Sequence, residues 1–178
     1  PMKMLKKLLA VVLTGAMALT LFTACGSNAV RDKDIADALN NIVKLNDSEV
    51  TFTPRAKERE MAQKVAALLE SHSEDDSNSA ELSAKIQGIL GIDQGGVNEN
   101  NFVWVQNALT DKLGAEGQAF QVMESLTDKG GAYNFSSLGS KEPADTRYMG
   151  TALCKIPDQK DNLVTVRVIV VTAKAEDE

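Results

Sequence analysis

The stretch that decides the fold is residues 163–172, LVTVRVIVVT. Successive residues of a strand point to opposite faces. Val164, Val166, Val168 and Val170 therefore share one face, and Leu163, Thr165, Arg167, Ile169 and Val171 share the other. Only Arg167 and the threonines soften the second face. A strand apolar on both faces has to be covered on both. The upstream helices are the only elements available to cover it. The expectation is an α+β domain, an α-β-α sandwich with helices packed on a small antiparallel sheet that ends in a C-terminal hairpin.

Working back from that strand, residues 157–162 (PDQKDN) read as a turn and residues 148–156 as its partner strand. Residues 129–147 lack periodicity and are punctuated by Gly130-Gly131, Gly139 and Pro143, so they read as a long loop. Residues 115–126 carry Ala119, Phe120, Val122, Met123 and Leu126 at helical spacing. The run Phe102-Val103-Trp104-Val105 fits a strand or the opening of a helix reaching Leu113. Residues 79–90 form a helix that Gly91 is placed to end. Thr53 as N-cap and Pro54 as first helical residue are expected to open a helix reaching Ser71. Its inner face would carry Ala56, Met61, Val65, Leu68 and Leu69. Residues 32–45 place Ile35, Ala38, Leu39, Ile42 and Val43 on one helical face, with Asp32 and Asp34 at the end where the helix dipole favours negative charge.

The beginning of the chain has a different grammar. Lys3, Lys6 and Lys7 precede an apolar run over residues 8–21, and Phe22-Thr23-Ala24-Cys25 closes it. Basic region, apolar region and small-residue exit are the parts of a secretory signal. The run is shorter than the roughly 20 apolar residues that span a bilayer. The cysteine at the exit resembles the lipobox of bacterial lipoproteins, with Phe22 where Leu or Val is commoner. That resemblance implies diacylation of Cys25, location at the extracytoplasmic face of the cell membrane, and a membrane partner through the lipid. The domain plan is then signal peptide 1–24, tether 25–30, a single domain 31–173 and a charged tail 174–178. Three of the 19 basic residues and none of the 25 acidic ones precede Cys25, so the remainder carries 16 against 25, a net charge of −9. Such a domain does not fit nucleic acid, whose phosphates need a basic patch. With Cys25 acylated, Cys154 has no partner in the chain, and its apolar neighbours read as those of a buried, inert thiol.

Phosphate-binding, dinucleotide-binding and metalloprotease motifs are all missing from the sequence, which implies no cofactor and no metal. His72 is the sole histidine and lies in a polar stretch with Glu70, Glu74, Asp75 and Asp76. Its bland reading is a solvated histidine. Its functional alternative is a cell-envelope hydrolase in which His72 works with a carboxylate such as Glu99.

Taken in order, several segments resemble the CAP superfamily of cysteine-rich secretory, antigen 5 and pathogenesis-related proteins. These are Asn40-Asn41, the alanine-rich AQKVAALL at 62–69, His72, Glu99-Asn100, the helix around 120–126, Met149-Gly150-Thr151-Ala152, and the final hairpin. The family's second histidine and the tryptophan of its later helix have no counterpart; SLTDKGGAYNF (125–135) stands there instead. The resemblance implies a candidate ligand cavity of His72, Glu99 and Asn100. It implies a binding or interaction role toward an extracellular ligand or protein, with no catalytic residue. A structural subunit of envelope assembly is the third reading.

Overall fold

The computed structural model describes residues 30–46, 48–71, 79–92, 98, 100–127, 141–158 and 161–176. Cys25, His72 and Glu99 lie outside them. In chain order the elements are α1 (Asp32–Lys44), β1 (Thr51–Pro54), α2 (Ala56–Ser71), α3 (Ser79–Leu90), β2 (Asn101–Thr110), α4 (Ala115–Thr127), β3 (Glu142–Pro157) and β4 (Leu163–Glu176). The strands form one sheet in the order β1-β3-β4-β2. The architecture is α+β, with helices on a sheet that ends in the β3–β4 hairpin.

β4 is interior, and its two faces seed two cores. Ile169 and Val171 join Met149, Phe52 and Leu109 under α1 (Ile35, Leu39, Val43) and α4 (Ala119, Val122). Val166, Val168 and Val170 join Val103, Val105 and Cys154 under α2 (Ala62, Val65, Ala66) and α3 (Ile86, Leu90). The alternation read from the sequence therefore partitions the helices as well as the strand. The cover is complete over the middle of β4, where residues 166–173 are all buried.

Four expectations need correction. The sheet is mixed, because β1 runs parallel to β3, with Thr51 opposite Thr146 and Pro54 opposite Met149. Thr53 and Pro54 belong to that strand and do not open the helix. Proline is tolerated there because β1 is an edge strand, and the next N–H, from Arg55, donates to the Met149 carbonyl at 2.8 Å. β3 begins at Glu142, so 142–147 of the expected loop are strand, with Glu142 opposite Glu176. That pairing, and the one between Asn101 and Lys174, also carry β4 through residues 174–176 of the expected tail.

The open alternative at Phe102–Val105 resolves as strand: β2 pairs antiparallel with β4, Trp104 opposite Val171. Gly91 ends α3 as its position implied. Its φ is +69°. Gly91 N–H donates to the Gly88 carbonyl and Ile92 N–H to the Gln87 carbonyl at 2.9 Å, the paired bonds of a Schellman cap.

Candidate functional site

The described polar chemistry is concentrated where the first turn of α2 crosses β3. Gly150 makes that crossing possible. A Cβ at Gly150 would fall inside the backbone of Glu58 and Arg59, so only glycine lets helix and strand approach this closely. Two acidic side chains, Glu58 on α2 and Asp32 on α1, lie in the protein interior beside this crossing, each within a cluster of donors.

Glu58 is fully buried on the α2 side of the sheet. Arg55 Nε donates to its Oε2 at 2.6 Å, Arg55 Nη2 donates to Oε1, and the Thr172 hydroxyl donates to Oε1 at 2.7 Å. Burial by itself would raise the Glu58 pKa. The hydrogen bonds from Arg55 and Thr172 and the Arg55 charge outweigh burial and hold it below the ordinary carboxylate value. Arg55 in turn lies over the Tyr148 ring, 3.7 Å from its centroid.

Asp32, in the first turn of α1, sits on the other side of the sheet. Its Oδ2 accepts from Arg59 Nε at 2.7 Å and its Oδ1 from the Thr151 hydroxyl at 2.6 Å. β1 has ended at Pro54, opposite Met149, so Arg59 reaches from α2 to α1 around the β3 edge that β1 leaves open. The Thr151 hydroxyl also accepts from Arg167 Nη1 at 2.8 Å. Arg167 Nε donates to Gln118 Oε1 at 2.7 Å, and Nη2 donates to the Val30 carbonyl at 2.9 Å. Gln118 completes the set by donating to the Leu113 carbonyl at 2.7 Å. Burial lowers the Arg167 pKa, and the Asp32 and Asp111 charges oppose that shift. Every oxygen of Asp32 and Glu58 is thus taken by a donor of the chain itself. In chemical terms the clusters fasten helices to the sheet: Glu58 accepts from Arg55 and Thr172, and Asp32 from Arg59 and Thr151.

The residues named from the sequence are not assembled by the described part of the chain. Ser71, which precedes His72, ends α2 at the hairpin end of the sheet, where the neighbouring Glu70 accepts the Lys155 N–H at 2.9 Å. Lys155 is opposite Thr165. Asn100 is exposed at the other end, its carbonyl accepting the Ala175 N–H at 3.0 Å. Thr165 and Ala175 stand ten residues apart along β4, about 33 Å at roughly 3.3 Å per residue. Asn40 serves the architecture, because its side chain bonds both the N–H and the carbonyl of Phe52, at 2.7 and 2.9 Å. Cys154 is buried and free, its pKa raised first by burial and then by Glu70, which suits an inert thiol.

Sequence reasoning passed over Asp32, Glu58, Arg59, Gln118 and Thr151 as cluster members. The one visible signal was Arg167, a charge inside an otherwise aliphatic strand, which requires buried partners. Among the described residues no three His, Cys, Asp or Glu side chains are grouped to hold a metal ion, and no helix is long and apolar enough to cross a membrane. No protein-family model matches the chain, and no curated protein or solved structure matches it.

Proposed function

We propose that the chain is a lipid-anchored, extracytoplasmic binding or interaction domain of a bacterial envelope. The observation that carries the binding role is the internal engagement of the buried Asp32 and Glu58, whose four carboxylate oxygens each accept a hydrogen bond from Arg55, Arg59, Thr151 or Thr172. A general base needs a lone pair within reach of the proton it removes. Asp32 and Glu58 are both buried, with their oxygens turned toward arginine and hydroxyl donors of the chain itself, away from an incoming substrate. The anchor is supported by the order of basic, apolar and small residues before Cys25. The CAP-like reading is supported by the order of its motifs and by the two-sided cover of the sheet.

The anchor is tested first. Cys25→Ser in the expressing cell is expected to abolish labelling by a fatty-acid probe and to release the protein from the membrane fraction. Labelling at the wild-type level would reject the lipobox. Two acyl chains on one cysteine suffice for stable attachment.

The role is tested by incubating the soluble mature domain with peptidoglycan and with model peptides. No turnover is expected. Turnover by the wild type that is lost in His72→Ala or Glu99→Gln would establish the hydrolase instead.

A further inference from the structure

Arg167 marks a boundary on the sheet. On the face covered by α1 and α4, Val171, Ile169 and Met149 are buried. Beyond Arg167 the same face continues as Leu153 and Lys155 on β3 and Thr165 and Leu163 on β4, the pairs being Leu153 with Arg167 and Lys155 with Thr165. Among the described residues the cover stops here. Leu153 is 46% and Leu163 71% exposed. The reverse face of the same segment is dry: Cys154 and Val166 are buried, and Ile156 and Val164 pack into the core beneath α2 and α3. Half of the hairpin is therefore covered on one side only, and the bare side carries two leucines.

Val30, the first described residue, lies at this boundary. Val30 is held by its carbonyl to Arg167 at 2.9 Å, and Arg167 lies directly across the ladder from Leu153. Cys25 precedes Val30 by five residues, and five residues reach at most about 17 Å even when extended. Any lipid on Cys25 is thereby restrained to within that distance of Val30, beside the bare face. The tether sequence Gly26-Ser27-Asn28-Ala29 is made of small residues and has no apolar side chain larger than the Ala29 methyl with which to cover the leucines.

We infer that the uncovered face of the β3–β4 hairpin, Leu153 and Leu163 with Lys155 beside them, rests in the headgroup layer of the membrane that carries the Cys25 lipid. The inference rests on the lipid-anchored reading above. Leucines at that depth leave water for acyl-chain boundary, and a lysine keeps its ammonium among the headgroups while its stem lies along the apolar side. Asp158 and Asp161 in the hairpin turn keep the insertion shallow. The net charge of −9 after Cys25 holds the remaining surface away from anionic lipid.

Leu45 supplies an internal control. It is 67% exposed, like Leu163, but follows the far end of α1. From there the chain passes to Thr51, opposite Thr146, seven residues up β3 from Leu153.

The test uses the full acylated chain, purified from membranes and reconstituted into phosphatidylcholine vesicles containing nitroxide-labelled phosphatidylcholine. Leu163→Cys and Leu45→Cys each receive an environment-sensitive fluorophore, with the wild type measuring background from Cys154. The mass of the N-terminal peptide reports acylation independently. Expected are a blue shift and several-fold stronger nitroxide quenching at position 163 than at 45, both reduced at position 163 by Leu153→Asp while the protein stays on the vesicles. Equal quenching at the two positions on an acylated protein overturns the hairpin contact and leaves the anchor standing. A blue shift that appears without vesicles and grows with protein concentration assigns the face to a second copy and also overturns it. An unacylated N-terminal peptide removes the anchor and the contact together.

Discussion

Arg55 and Glu58 sit three residues apart on the chain, yet one is 38% exposed and the other fully buried. Removing the guanidinium strands a carboxylate inside the protein. Breaking a buried pair costs about 3–5 kcal/mol. Thr172 would still donate to Glu58 and Arg55 is partly solvated, so Arg55→Ala is expected to cost about 2–3 kcal/mol by urea denaturation. The pH dependence follows from the direction of the Glu58 shift. A carboxylate held below its unfolded value contributes stability that is fully present above roughly pH 4.3 and lost as pH falls through the folded pKa. The urea midpoints of wild type and Glu58→Gln are therefore expected to differ at pH 7 and to draw together as the pH is lowered below the ordinary carboxylate range; parallel midpoints would contradict it. Gly150 is the second residue whose chemistry is set by its neighbour. Gly150→Ala pushes a methyl group into helix backbone, which cannot turn aside as a side chain can. A loss of about 2–3 kcal/mol or more is expected, the upper part of the range for overpacking, and chemical denaturation measures it.

At the scale of elements, β1 is the weak member. It has four residues and lies at the sheet edge, joined to β3 on one side only. Asn40 supplies what a further strand would have supplied, pairing with the N–H and carbonyl of Phe52 from α1. This also couples α1 to β1 and explains why an asparagine is tolerated on an otherwise apolar helix face. Asn40→Ala is expected to cost about 1–2 kcal/mol, two net hydrogen bonds. The loss should be local. Amide exchange of Phe52 should accelerate many-fold while Val168 and Val170 in β4 keep their protection, because edge elements open separately from the centre. Uniform acceleration would mean that β1 and the interior strands open as one unit.

On the scale of the whole molecule, β4 is the strand that supplies the most buried residues to the two cores, Ile169 and Val171 to one and Val166, Val168 and Val170 to the other. Val168 is fully buried among Val65, Val103 and Val170 in the cluster beneath α2 and α3. Val168→Asp places an unpaired carboxylate there. The expected cost is several kcal/mol against a total stability of roughly 5–15 kcal/mol, so the domain should lose its cooperative thermal transition. A wild-type melting temperature would show that the strand is not central. The Asp32–Arg59 ion pair, which joins helices on opposite faces around the β3 edge, and Arg167, which holds Val30 to the central strand, tie the layers together by polar contacts as well as apolar ones.

The sequence by itself determined the strand at 163–172, the two-sided burial of its middle, the four helices and the cap at Gly91. Each is written in a local pattern: period two, period three to four, or a glycine at a helix end. The sequence alone also carries the anchor reading at Cys25, since that signal is linear. Only the tertiary structure decided that Pro54 is strand, that β1 joins parallel to β3, and that 142–147 and 174–176 pair with strands distant in the chain. Such pairings depend on partners far away in sequence and leave no periodic trace. The buried clusters belong to the same class. Asp32 and Glu58 look like ordinary solvated charges at helix starts until the packing of α1 and α2 on β3 buries them, with the half-exposed Arg59 closing over Asp32.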